Sequence, residues 1–170
     1  TNSEDLCQRL KSLRNHGLKN RDECAEFAYN SRLDTLQAIV ALRLMKDLEE
    51  ITRKRIQNAT TYDDGLSGLG GFITIPPRKK TIKQVFHTYV IQVKERNKLY
   101  KHLLDNGIEA KVHYPIPMHL QEASQYLGYK DGDFPVCEAQ ARSIITLPVH
   151  QHLTKDQLNY VIEMIKKFYK

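Results

Sequence analysis

The stretch Tyr29-Asn30-Ser31-Arg32-Leu33-Asp34 sets a polar turn against the start of an apolar-periodic segment, and its side chains suit a charged ligand. Asn30 and Ser31 can donate to or accept from a bound group. Arg32 offers a planar two-pronged contact to a phosphate or carboxylate, with an ion pair to Asp34 or to a partner chain's acid as the plainer use. Asn30 would serve equally to shape the turn, and Asp34 is placed to cap the helix that follows. Far downstream, His113-Tyr114-Pro115-Ile116-Pro117-Met118-His119-Leu120-Gln121 forms a second cluster. Its Pro-x-Pro fixes the backbone, so that His113 and Tyr114 point in set directions, towards a ligand or simply within a turn. His113 is in principle a general base. His119 and Gln121 are weaker contact candidates.

Elements that must position these groups follow from periodicity. Leu6, Leu10 and Leu13 predict a short surface helix over 4–14, stopped by Gly17, and the polar, aperiodic residues 18–29 read as a loop. Leu36, Ile39, Val40, Leu44, Leu48 and Ile51 recur at three- and four-residue steps, predicting a long amphipathic arm over 34–65. An arm of that length must lie against another domain, a second copy of the chain, or both. Residues 66–86, with Gly68, Gly70, Gly71, Pro76 and Pro77, read as a connector. Beyond it the pattern predicts a strand over 87–93, a helix over 95–106, a strand over 108–114, a helix over 135–144 and a short strand over 145–147. Thr154-Lys155-Asp156-Gln157 fits a capping box ahead of a helix whose buried stripe is Leu158, Val161, Ile162, Ile165 and Tyr169. The fold class is therefore α/β (α+β): a helical arm followed by a small domain with a roughly three-stranded, mostly antiparallel sheet covered by helices.

Composition narrows the classes. At 170 residues the chain suffices for one core, or for a small domain with an appended arm. Hydrophobic content of 41% and charged content of 27% argue against wholesale disorder. The net charge of +6 is spread among acidic residues without an aromatic-basic motif, so no nucleic-acid partner is expected. It fits solvated lysine-bearing faces and also a nucleoside-diphosphate ligand. No apolar run reaches membrane-spanning length, so no membrane partner is expected. Cys7, Cys24 and Cys137 are odd in number and widely spaced, which favours reduced thiols in a cytoplasmic protein. His150 and His152 form a lone His-x-His with the other histidines dispersed, so no metal site is expected.

In order and spacing, the Tyr29–Ala38 stretch, the His113–Gln121 segment, Phe134-Pro135-Val136-Cys137-Glu138 and Ile145-Thr146-Leu147-Pro148 resemble the DegT/DnrJ/StrS nucleotide-sugar aminotransferases, which depend on pyridoxal phosphate. The resemblance runs from about Cys7 to Tyr169 and matches the later half of such enzymes. It implies the C-terminal domain of a fold type I aminotransferase. Residues 1–33 would end the cofactor domain and form an active-site loop, 34–65 the interdomain and dimer-interface arm, 66–86 the connector and 87–170 the small domain. It further implies that Asn30 meets the cofactor phosphate of a neighbouring subunit, with Arg32 beside it. His113 and Tyr114, with His119 as a weaker candidate, would line the sugar-nucleotide side of the pocket. The family's cofactor-binding lysine lies upstream of the matched stretch, and no lysine here sits in its motif, so no catalytic residue is assigned. Thr1 in place of Met and the opening Thr1-Asn2-Ser3-Glu4-Asp5-Leu6 lead to the expectation of a C-terminal portion, inactive alone. The intact enzyme would be a homodimer moving an amino group, typically from glutamate, to a nucleotide-linked keto sugar for cell-surface glycan or antibiotic sugar synthesis. The family usually has Gly where this chain has Ala28, which bears on the backbone shape of the turn. The alternative from another class is a non-catalytic regulatory or assembly module that keeps the small-domain fold.

Overall fold

A computed structural model describes residues 1–170, which form two compact units, Thr1–Leu48 and Glu49–Lys170. In the first, α1 (Glu4–Leu13) starts on Ser3, whose hydroxyl accepts the Leu6 N–H at 3.3 Å. It buries none of its residues. The chain then reverses at Gly17, whose φ of +72° suits glycine, and a Cβ there would fall 1.8 Å from the Glu26 carbonyl oxygen. Single bridges, Asn15 with Asn30 and Leu18 with Cys24, organise what the sequence reads as a plain loop. A second helix, α2 (Thr35–Met45), follows with no buried residue: Leu36, Ile39, Val40, Leu42, Leu44 and Met45 all stay exposed.

The predicted arm is not one helix. Helix α2 stops at Met45 and α3 (Leu48–Leu66) begins afresh, burying Thr52, Asn58, Ala59, Tyr62 and Leu66. That face is partly polar because it docks on backbone carbonyls. Asn58 donates to the His150 carbonyl at 2.9 Å and Tyr62 to the Pro148 carbonyl at 2.8 Å, so both buried polar groups are satisfied. Burial pushes the Tyr62 phenol well above its ordinary pKa.

Three strands, β1 (Ile73–Thr74), β2 (Tyr89–Val93) and β3 (Ile144–Leu147), form an antiparallel sheet in the order β1-β2-β3. Ile73 pairs with Val93, and Tyr89 with Leu147. Tyr89, Ile91, Val93, Ile145 and Leu147 face the core with almost no exposure. Two expectations need correction. The strand expected over 108–114 is a single bridge, Lys111 with Thr146, because the Ala110 N–H turns back to the Ile108 carbonyl at 2.8 Å and breaks the extended run. The third strand comes from the expected connector instead, where Ile73 is buried between Phe72 and Thr74.

Helices α4 (Arg96–Asp105), α5 (Pro135–Ser143) and α6 (Lys155–Phe168) complete this unit. Helices α4 and α6 pack on each other, α4 also on β3, and α5 on β2. The α6 capping box is present: the Thr154 hydroxyl accepts the Gln157 N–H at 3.2 Å, and the Gln157 side chain accepts the Thr154 N–H at 2.9 Å. Leu158, Val161, Ile162 and Ile165 are buried, each burial contributing roughly 1.5–3 kcal/mol. Outside the strands, Arg78 pins residues 75–86 by a two-pronged pair to Asp63, with both bonds at 2.9 Å, and lies over the Phe86 and Tyr89 rings. No helix is long and apolar enough to cross a membrane.

Candidate functional site

In the first unit, the Asn30 loop is held by its backbone against the end of α1. The Tyr29 carbonyl accepts the His16 N–H at 2.9 Å, and Ser31 N–H donates to the Arg14 carbonyl at 2.8 Å. Ala28 takes no positive φ, so this turn does not need the glycine common at that position in the family. Arg32 bonds neither Asp34 nor another acid. Its Nε donates to Asn30 Oδ1 at 3.2 Å, which leaves the Asn30 amide hydrogens and the terminal guanidinium nitrogens of Arg32 without partners in the chain. The pair is thus an exposed cluster of donors with its acceptor oxygen already used. An anionic oxygen ligand such as a phosphate fits it. Asp34 is the N-cap of α2, and its backbone N–H donates to Gln37 Oε1 at 3.4 Å.

In the second unit, His113 and Tyr114 lie where the Lys111–Thr146 bridge gives way to the Pro-x-Pro, across a cis peptide bond. His113 is exposed, and its ring borders two spaces. One is a polar cleft of about 210 Å³ lined by Arg55, His87, Lys111, Thr146 and His150. The other is an apolar groove of about 440 Å³ lined by Tyr114, Ile116, Met118, Cys137 and Gln140. Tyr114 is 72% exposed and packs edge-on to the His113 ring. Gln121 donates to the Ile116 carbonyl at 3.2 Å and so braces the turn locally.

His119 turns inward. Its side chain is 9% exposed, with Nε2 3.1 Å from Glu138 Oε1 and the ring 4.7 Å from that of Phe134. Glu138 also accepts the Gly132 N–H at 2.9 Å and the Phe134 N–H at 3.1 Å. Burial opposes ionisation of this carboxyl, yet the Phe134 and Gly132 N–H groups and the His119 imidazole hold it below the ordinary carboxylate range. His119, expected as a substrate contact, therefore spends this nitrogen on joining the segment to α5.

Sequence reasoning assigned no role to Glu138, Thr146 or Arg55. Arg55 Nη1 reaches the Phe86 and His87 carbonyls, both at 3.2 Å, and so fixes one wall of the polar cleft. For Thr146 the available signal was a hydroxyl inside the apolar run Ile144–Leu147. Glu138 carried no usable signal, because a glutamate in the first turn of a helix normally faces water.

Comparison with known proteins adds the following. The chain is 34% identical over 171 residues to a "pleiotropic regulatory protein" of Geobacillus stearothermophilus, covering 100% of this chain and 46% of that one. It is 32% identical over 168 residues to a dTDP-3-amino-3,4,6-trideoxy-alpha-D-glucose transaminase of Streptomyces venezuelae, covering 99% and 44%. The crystal structure of S. venezuelae DesV in complex with a ketimine intermediate superposes with a TM-score of 0.94 at 31% identity, covering 100% of this chain and 46% of that one. The chain thus spans about half the length of the relatives it matches. Residues 1–166 match the DegT/DnrJ/EryC1/StrS aminotransferase family, and with that fold and these motifs the chain belongs to it.

Proposed function

We propose that this chain supplies the phosphate-side and sugar-side contacts of a pyridoxal phosphate-dependent nucleotide-sugar aminotransferase working as a homodimer in the cytoplasm. The observation that carries this reading is the family match over residues 1–166. The free donors of Asn30 and Arg32 support it. In this reading Asn30 and Arg32 hold the cofactor phosphate, and Arg32 is also placed to take the carboxylate of the amino donor, typically glutamate. His113 and Tyr114 contact the nucleotide sugar, and His119 acts by bracing their segment against Glu138. Pyridoxal phosphate, when bound, supplies the electron sink through which an amino group passes from donor to keto sugar. The residues of this chain bind and orient; the covalent attachment point is not among them. A second copy covers exposed apolar residues of α2.

A two-probe titration followed by NMR tests the assignment. Pyridoxal phosphate is expected to move the Asn30 and Arg32 side-chain signals, and UDP-glucose those of His113 and Tyr114. The Asn30→Ala variant loses the first response and keeps the second. Probes that leave both sets unmoved would contradict the reading. A second reading, a non-catalytic regulatory module, is favoured by the likeness to the Geobacillus pleiotropic regulatory protein. It predicts neither response.

A further inference from the structure

Thr146 stands out within its strand. Ile145 and Leu147 face the core, so by the alternation of a β-strand Thr146 faces the opposite side of the sheet, towards the polar cleft. It is 6% exposed, and its backbone is fully occupied: its N–H donates to the Lys111 carbonyl at 2.7 Å and its carbonyl accepts the Lys111 N–H at 3.0 Å. Its hydroxyl oxygen lies 3.1 Å from Nδ1 of His113, while Nε2 of that ring has no partner within the chain.

We propose that Thr146 is a positioning residue: its hydroxyl fixes the plane and tautomer of the His113 ring, presenting Nε2–H as a donor to the substrate. This rests on the reading that His113 contacts the nucleotide sugar. The direction of the bond follows from satisfaction. If Nδ1–H donated to Thr146, the hydroxyl hydrogen would have no acceptor within the chain, since the bond to His113 is the one its hydroxyl makes. With Oγ1–H donating to Nδ1, the hydroxyl and the ring acceptor satisfy each other and the proton sits on Nε2. A donor at Nε2 suits the oxygen-rich surface of a nucleoside-diphosphate sugar. The backbone bridge at Lys111 sets the distance and the hydroxyl sets the ring, so one strand residue controls both.

Long-range imidazole ¹H–¹⁵N correlation on the 170-residue chain at alkaline pH tests this. Expected are an Nε2–H tautomer for His113 in the wild type and in Thr146→Ser, and a tautomer mixture in Thr146→Val, whose shape matches threonine without the hydroxyl. The amide spectrum outside the cleft should be unchanged. An Nδ1–H tautomer in the wild type, or the same spectrum in Thr146→Val, overturns the proposal. Should Thr146→Val fail to fold, Thr146→Ala with the wild-type tautomer retained overturns it equally. Titration with UDP-glucose separates the two layers. Loss of one hydrogen bond's worth of orientation predicts about three- to tenfold weaker binding in Thr146→Val, with Thr146→Ser near wild type. A wild-type chain with the Nε2–H tautomer that fails to bind UDP-glucose would defeat the functional reading, while the positioning by Thr146 stands. Equal binding by the wild type and Thr146→Val would defeat the positioning role in recognition.

Discussion

Helices α2 and α6 are both rich in apolar residues, yet α6 buries Leu158, Val161, Ile162 and Ile165 whereas α2 buries nothing. The difference lies in distribution. In α6 the apolar positions fall on one face and lysines and acids fill the other, so the helix carries the instructions for docking on its own domain. In α2 the sequence Thr-Leu-Gln-Ala-Ile-Val-Ala-Leu-Arg-Leu-Met is apolar nearly all round, a pattern for a helix enclosed on several sides. An apolar helix that these 170 residues leave uncovered calls for cover from another domain, a second copy, or both, and the proposal of a contact between copies takes the second.

The two helices should respond oppositely to the same kind of lesion. Ile165→Ala opens a cavity in a fully buried position and should cost about 2–5 kcal/mol in chemical denaturation. Tyr62→Phe strips the Pro148 carbonyl of its donor and should cost about 1 kcal/mol, read the same way. Thr154→Ala removes the α6 cap for about 1 kcal/mol, whereas a cap lesion in α2 should leave the denaturation midpoint in place. Ile39→Asp should change the stability of the dilute chain by no more than about 0.5 kcal/mol while lowering the solution mass measured by sedimentation. A large loss of stability in Ile39→Asp at high dilution would break the contrast, because it would show α2 packed within its own chain.

Proton linkage sharpens the picture within the second unit. Glu138 has its pKa depressed in the fold, so its contribution is complete above the ordinary glutamate range and is lost as pH falls through the lower folded value. The Gly132 and Phe134 amide signals should therefore titrate together on acidification, and Glu138→Gln should abolish that step. At the alkaline end, burial raises the Tyr169 phenol to about 12, and its hydroxyl donates to the Lys94 carbonyl at 2.7 Å. A raised pKa means stability present below the ordinary tyrosine value near 10 and lost as pH climbs to about 12.

Much of this architecture was legible in the sequence. The final helix declared itself through Thr154, Gln157 and a stripe at helical spacing, and β2 through its alternating apolar residues. Helix α3 was harder, because buried Thr52 does not look like a core residue and Asn58 does not until the His150 carbonyl it meets is known. Strand β1 was hidden: two residues between glycines and prolines carry no periodicity, and its pairing with Val93 and Gln92 is a long-range fact. The same division holds for the candidate site. Residues with obvious chemistry, Asn30, Arg32, His113 and Tyr114, could be named from type and motif. The residues that hold them could not, since the roles of Thr146 and Glu138 depend on which groups the fold brings within hydrogen-bond reach.

The proposed function places the covalent attachment of pyridoxal phosphate outside these 170 residues. Incubating the chain with pyridoxal phosphate, reducing with borohydride and mapping phosphopyridoxyl peptides by mass measures that directly. No labelling above scattered traces across the lysines of this chain is expected. Stoichiometric labelling concentrated on one lysine would contradict that placement, because these residues would then hold the cofactor covalently themselves.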